Sequence, residues 1–321
     1  MIWDWVLLVV GMVLLIKGAD FFVDGASGIA KKFGIPSLII GLTLVSLGTS
    51  APEISVSLNA VLEGMSDMSV GNVVGSNICN IFLILGVSAI FTPLLISKDI
   101  KRYDIPIMLG IFILFTIFSF LITPGAINWY EGIILLVIVV LYTLFLIKRT
   151  KASDELDLEE ENTDKKVNLV KCIIFVVLGL AAIIFGGELV VNHASNIAIK
   201  LGMSETLVSL TIVAVGTSLP ELVTSAVAAF KKEGDIAVGN VIGSCLFNII
   251  LILGLASVVA PLGPDSVLSV QPNIIFDVVV MIFGGISLLA ISFLSKKITR
   301  WQGILFLAVY VAYIAFIIVR N

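Results

Sequence analysis

Apolar residues run in stretches of about 20 along most of this chain, the length of helix that crosses ~30 Å of hydrocarbon, with short polar interruptions between them. Ten such spans are predicted, at roughly 3–23, 37–62, 69–94, 104–123, 129–148, 168–191, 205–230, 236–260, 273–294 and 300–319. The largest interruption follows the fifth span. There "KRTKASDELDLEEENTDKKVN" is charged and short of aromatics, which predicts a solvated or disordered linker over 150–167 between a first half, 1–149, and a second, 168–321. The opening run "MIWDWVLLVVGMVLLIKGAD" lacks a basic leader and a small-residue cleavage signal, so it reads as a first spanning helix and not as a signal peptide.

Composition agrees with this pattern. With 59% hydrophobic and 13% charged residues, and a mean hydropathy of +1.16, the chain lies far from the ~45–50% apolar and ~25% charged of soluble domains. A polytopic membrane protein follows, set in the cell membrane. The net charge of −4 says little about partners, because seven of the 23 acidic residues crowd the linker. No basic surface for nucleic acid is present, and no protein partner is implied. Cys79, Cys172 and Cys245 stand singly in apolar runs, so neither a zinc site nor a disulfide framework is indicated. If the N-terminus lies outside, all of the 19 Lys and Arg except Lys17, Lys200 and Arg320 fall on the inner side. The positive-inside rule then puts the acidic linker in the cytoplasm. Trp3, Trp5, Trp129, Tyr130 and Trp301 near the span ends suit interfacial anchors.

The two halves are copies. An offset of 168 lays "GLTLVSLGTSAPEISVS" (41–57) on "SLTIVAVGTSLPELVTS" (209–225) and "VGNVVGSNICNIFLILG" (70–86) on "VGNVIGSCLFNIILILG" (238–254). An offset of 171 lays "YEGIILLVIVVLYTLFLIKR" (130–149) on "WQGILFLAVYVAYIAFIIVR" (301–320). A duplicated unit with an odd number of spans enters the membrane from opposite sides. The predicted fold is therefore all-α, ten transmembrane helices as two inverted five-helix repeats, with broken helices 2 and 7 meeting near the midplane.

The paired motifs carry the chemistry. Proline has no N–H and its ring clashes with the carbonyl four residues earlier. Pro52 should free carbonyls around Ser46 to Gly48, and Pro220 those around Ala214 to Gly216. Thr49, Ser50, Thr217 and Ser218 add hydroxyls at that level, and Glu53 and Glu221 bring one carboxylate each. On the next span of each half Asn72, Ser76 and Asn80, and Asn240, Ser244 and Asn248, recur at i, i+4 and i+8 on one face. Gly71 and Gly75, with Gly239 and Gly243, permit close helix contact. All these candidate ligands are oxygens, which hard cations such as Ca²⁺ and Na⁺ prefer. Two ionised glutamates match one Ca²⁺ in charge, and an emptied site would leave like charges in a poorly solvated place. Another cation, Na⁺ or H⁺, must replace the one that leaves, which favours exchange over uniport. Asp20 falls on Glu188 at the same offset, either as interfacial residues or as part of an ion path. His193 reads as a surface residue.

"GTSAPE" and "GTSLPE", followed by "GNVVGSNICN" and "GNVIGSCLFN", resemble the repeats of the Ca²⁺/cation antiporter superfamily, particularly its prokaryotic sodium/calcium exchangers. The resemblance covers essentially the whole chain. It implies central cation sites between spans 2, 3, 7 and 8, exchange of one Ca²⁺ for about three Na⁺, and spans 1 and 6 sliding across a rigid core. It also implies a ligand set: Glu53 and Glu221 as principal carboxylates, Asn80 and Asn248 as amides, and Thr49, Ser50, Thr217, Ser218, Ser76 and Ser244 as hydroxyls or carbonyls. Ser46 and Ala214 would give backbone carbonyls. Asn248 stands where potassium-dependent relatives carry Asp, which weakens a case for K⁺. Cys245 replaces the Asn that Asn77 represents in the first copy, and should point away from the ligand stripe. The rivals are an H⁺/Ca²⁺ antiporter, a channel, which inverted repeats disfavour, and an intramembrane protease, for which His193 has no matching nucleophile. The chain is read as a transporter and not an enzyme, with no cofactor.

Overall fold

The computed structural model describes residues 2–154, 167–203, 208, 212 and 214–320. The linker expected over 150–167 and the start of the seventh predicted span lie largely outside the described residues. The described chain is all helical apart from two short ladders. In order it forms α1 (Ile2–Phe33), α2 (Ser37–Thr49), α3 (Ala51–Leu62), α4 (Ser66–Phe91), α5 (Ile100–Ile122) and α6 (Trp129–Asp154). The second half gives α7 (Leu169–Lys200), α8 (Ala214–Gly216), α9 (Leu219–Phe230), α10 (Gly234–Leu262), α11 (Pro272–Leu294) and α12 (Arg300–Arg320). Eight of these are long and apolar enough to cross a membrane, and the bent pair α2–α3 makes a ninth span if counted as one. Their mean composition leaves a belt of bare Val, Leu, Ile and Phe on α1, α6, α7 and α12. Only hydrocarbon accommodates such a belt, so the protein is an integral membrane protein.

The helices sort by burial into a centre and a rim. In α4 and α10, 78% and 67% of the apolar window is buried, against 17% in α12 and 22% in α7. The two ladders tie one half to the other. β1 (Leu94–Leu95), before α5, pairs antiparallel with β4 (Lys297–Ile298), before α12. β2 (Ala126–Ile127), before α6, pairs with β3 (Leu268–Ser269), before α11. Two ion pairs repeat between the halves as well. Arg149 at the end of α6 binds buried Asp104 of α5 at 2.8 Å, and Arg320 at the end of α12 binds Asp277 of α11 at 3.3 Å, where Tyr313 also donates at 3.1 Å.

α1 and α7 pack along their whole length through small residues. A Cβ on Gly11 would lie 2.9 Å from the Gly186 carbonyl, one on Gly18 2.8 Å from the Gly179 carbonyl, and one on Gly25 2.7 Å from the Cys172 carbonyl. The register 11 to 186, 18 to 179 and 25 to 172 makes the pair antiparallel, with backbones as close as small residues allow. The end of α7 accordingly returns to the start of α1. There Asp4 accepts from Lys200 at 2.7 Å, and His193 Nδ1 lies 3.3 Å from it. His193 is thus an interhelical partner near the surface. The contact expected of Gly239 and Gly243 is present, with added Cβ atoms falling 2.6 Å from the Leu38 carbonyl and 2.7 Å from that of Leu42. For Gly71 and Gly75 no such neighbour lies among the described residues.

Candidate cation site

At both proline motifs a serine of similar backbone conformation leads into a new helix. Ser50 ends α2 with φ −80° and ψ 7°, Ser218 precedes α9 with φ −90° and ψ 7°, and the axis turns by 46° from α2 to α3. Pro52 and Pro220 occupy the first turn of the new helix, where a missing N–H costs nothing. Each break sets a glutamate in the first turn of the helix that follows it, inside the protein, and Glu53 and Glu221 are fully buried. The Ser46 carbonyl, expected to be freed by Pro52, accepts the Ser50 N–H at 3.0 Å, and the Thr49 hydroxyl oxygen lies 3.3 Å from it. Ser218 N–H bonds instead to Val215, three residues back, at 3.1 Å. Ala214 opens the short turn α8 just before that bond.

The two breaks interlock. Ser50, from the first, donates to Glu221 Oε1 at 2.9 Å, and its hydroxyl oxygen lies 3.2 Å from that of Ser244. Ser218, from the second, donates to Glu53 Oε1 at 3.3 Å, and its hydroxyl oxygen lies 3.2 Å from that of Ser76. Ser76 also donates to Glu53 Oε1 at 3.4 Å. Thr49 donates to Asn240 Oδ1 at 3.1 Å and Thr217 to Asn72 Oδ1 at 3.5 Å. Asn72 and Asn240, each anchored on the serine four residues past its glutamate (Ser57 at 3.0 Å, Ser225 at 2.8 Å), reach the Glu53 and Glu221 carbonyls at 3.5 Å. Apart from the Ser76–Glu53 bond, each of these side-chain bonds has its counterpart at the offset of 168.

Asn248 completes the layer, and Asn80 lies buried one helical turn past Ser76. Each lies in a widened π-helical turn, Cys79–Ile84 in α4 and Asn248–Leu253 in α10. Such turns recur at functional sites because they re-aim side chains within a continuous helix. Asn248 Nδ2 donates to Ser76 at 3.1 Å and to Asn77 Oδ1 at 3.0 Å, which commits its nitrogen and leaves its oxygen without a partner among the described residues. Glu53 Oε2, Glu221 Oε2 and both amide atoms of Asn80 are likewise buried without partners among the described residues. The predicted residues Glu53, Glu221, Asn248, Ser50, Ser218, Ser76 and Ser244 are thus joined in one buried layer. Thr49 and Thr217 lie at its edge through Asn240 and Asn72.

Asn77 was not among the predicted site residues. It donates to the Cys245 carbonyl at 3.3 Å, while Cys245 Sγ lies 3.9 Å from the Asn77 carbonyl, so the two pair across the crossing of α4 and α10. Its sequence signal was weak, an asparagine one place off the Ser76 stripe. Beside the layer runs a cavity of about 580 Å³ lined by Pro52, Ser55, Val56, Glu188, Asn192, Thr217 and Pro220, among others. It comes within one residue of each buried glutamate, and Glu188 lines it. Asp20, the residue that matches Glu188, is instead paired with Lys231 at 2.6 Å. No group of three or more His, Cys, Asp or Glu that could hold a metal ion exists among the described residues. The layer is an oxygen set with two charges only, suited to hard ions held loosely enough to leave.

The family model described as sodium/calcium exchanger protein matches residues 3–148 and 171–319. The sodium/calcium exchanger MaX1 of Methanosarcina acetivorans is 36% identical over 348 residues, 97% of both chains. The inner membrane protein YrbG of Escherichia coli is 38% identical over 261 residues, 79% of both. Among solved structures, the sodium-calcium exchanger NCX_Mj superposes with a TM-score of 0.84 at 34% identity over 98% of both chains. With its paired motifs and these matches along nearly its whole length, the chain belongs to the sodium/calcium exchanger family, as a prokaryotic member of the Ca²⁺/cation antiporter superfamily.

Proposed function

We propose that the chain is a secondary antiporter that exchanges Ca²⁺ for Na⁺, about three Na⁺ per Ca²⁺, by alternating access across the cell membrane. One observation carries the reading. Glu53, Glu221, Asn80 and Asn248 each keep a buried oxygen with no partner among the described residues. An unmet buried oxygen costs about 1–3 kcal/mol, and a cation held among the four would offset that cost. Ca²⁺ takes about six to eight oxygens, which these four and the surrounding hydroxyls of Ser50, Ser218, Ser76, Ser244, Thr49 and Thr217 could supply, with carbonyls of Ser46 and Ala214 at the breaks. The two carboxylates balance one Ca²⁺. A second cation must enter as Ca²⁺ leaves, because the bare pair would repel in a place with little water.

In the same reading the ten spans form two inverted halves, 1–149 and 168–321, joined by the acidic linker 150–167 in the cytoplasm. The repeated bond pattern about the breaks supports that symmetry, and the exchange named in NCX_Mj and MaX1 supports the ions. The test is ⁴⁵Ca²⁺ flux in proteoliposomes under imposed Na⁺, K⁺ or H⁺ gradients with the voltage clamped. Uptake should follow an outward Na⁺ gradient. Uptake driven equally by a pH gradient alone would make protons, acting on the same carboxylates, the coupling ion instead.

A further inference from the structure

The turn between α9 and α10 is gripped by one face of α1. Lys231 Nζ lies 2.6 Å from Oδ1 of both Asp20 and Asp24 and donates to the Asp20 carbonyl at 2.9 Å. Two residues on, Glu233 accepts from Ser27 at 2.8 Å and lies 3.7 Å from Lys31 Nζ. Asp20, Asp24, Ser27 and Lys31 follow the i, i+4, i+7, i+11 spacing of one helical face. Between Lys231 and Glu233 stands Lys232 with φ +65°, the one non-glycine residue at positive φ among the described residues. That strained conformation lets both neighbours face α1. Burial works against the Lys231 charge, but the Asp20 and Asp24 carboxylates outweigh it and hold the ammonium above its ordinary range.

The grip is at the opposite end of the helix pair from the cavity. Given the α1–α7 register, Glu188 of the cavity stands level with Val9, and Asp24 lies 15 residues further along α1, about 22 Å at 1.5 Å per residue. The offset of 168 shows what the cavity end has in place of the grip. Lys231 becomes Glu63, Lys232 becomes Gly64 at φ +77°, Asp20 becomes Glu188 and Asp24 becomes Asn192. The turn geometry is kept, but the cation is replaced by a carboxylate that cannot bind Glu188. The core responds in kind. Val56 lines the cavity, whereas its counterpart Thr224 is fully buried and its hydroxyl has no partner among the described residues.

We propose that Lys231, with Asp20, Asp24 and the Glu233–Ser27 bond, is an ionic latch that closes one mouth of the transporter, and that its loss from the other repeat biases the resting protein toward opening at the Glu188 mouth. The inference rests on the alternating access proposed above and on the orientation proposed with it, which puts the latch on the cytoplasmic side. Thr224 then lines the path that the latch closes.

Two cysteine reporters test it in a Cys172→Ser background, the remaining Cys79 and Cys245 being buried. Thr224→Cys reports the latched mouth and Ser55→Cys the open one, each read as the rate of modification by a membrane-impermeant maleimide applied from its own side. Lys231→Gln should raise Thr224→Cys modification about tenfold, by enlarging a minor population, and lower Ser55→Cys modification only about twofold. Asp24→Asn, which removes one partner and leaves the lysine in place, should give about threefold. Lys231→Asp with Asp24→Lys should return the slow rate. Thr224→Cys modification that stays unchanged in both Lys231→Gln and Asp24→Asn, with Ser55→Cys still reactive, would overturn the latch. The labelling needs no ion gradient, so a failure of Na⁺/Ca²⁺ exchange in flux assays would remove the proposed ions without changing this outcome.

Discussion

Asn248 presents its oxygen to the layer because its nitrogen is taken up by Ser76 and Asn77, and Asn77 is in turn held by the Cys245 carbonyl of the other half. Removing Asn77 leaves an Asn248 N–H without its acceptor and lets the amide turn over. At about 1–3 kcal/mol for such a loss, Asn77→Ala should weaken Ca²⁺ binding roughly tenfold, seen in the Ca²⁺ dependence of flux, while Asn77→Asp keeps the acceptor and loses less. Equal affinity in Asn77→Ala and the parent would show that Asn248 is not aimed this way. The residues around Pro52 and Pro220 were legible in sequence because a helix breaker beside a carboxylate, twice at one offset, has few other uses in hydrocarbon. Asn77 was not, since its partners lie on the opposite repeat and no local spacing encodes that crossing. Cys245 was expected to point away from the ligands; it does pair with Asn77, through its backbone carbonyl and its sulfur. The π-helical turns at Asn80 and Asn248 were equally invisible, because their sequences "CNIFLI" and "NIILIL" suit a regular helix as well.

At the scale of helices, the apolar windows located the spans but not their lengths. α1 was expected to end near 23 and α7 near 191, yet they run to Phe33 and Lys200. A hydropathy window registers only the stretch inside hydrocarbon, whereas these helices continue where Asp24, Lys31, His193 and Lys200 find partners on neighbouring elements. The window also could not show that Gly11, Gly18 and Gly25 form a seven-residue stripe against α7. Their role predicts a contrast. Gly18→Val must push against the Gly179 carbonyl at 2.8 Å and the Ile183 nitrogen at 2.9 Å, backbone atoms that cannot swing aside. Overpacking of this kind costs about 1–3 kcal/mol, so the purified variant should unfold at a lower temperature. Gly110→Ala in α5 has nothing within 4 Å of its new Cβ among the described residues, and gains about 1 kcal/mol of helix propensity. Its unfolding temperature should hold or rise. Equal losses in the two would place the stability elsewhere than the α1–α7 seam.

For the whole molecule, the seam and the latch divide the contacts of α1 into two kinds. Those to α7 are continuous backbone approaches along three successive glycines, while those at the Lys231 turn are side-chain bonds at one end. Backbone packing of that closeness does not slide in small steps, because interdigitated surfaces have few alternative registers. Ion pairs re-form readily. The alternating access proposed above therefore has one economical form, with α1 and α7 moving as a unit over the core of α3, α4, α9 and α10. A staple within the unit should then be harmless. A Cβ at Gly28 would lie 3.6 Å from Cys172 Cβ, inside the ~3.5–4.5 Å range of disulfides. Gly28→Cys should form a disulfide with native Cys172 on mild oxidation, detected as loss of free thiol, and exchange should stay within about twofold of the reduced form. A cross-link that stops exchange, with activity returning on reduction, would mean that α1 and α7 shift against each other during transport.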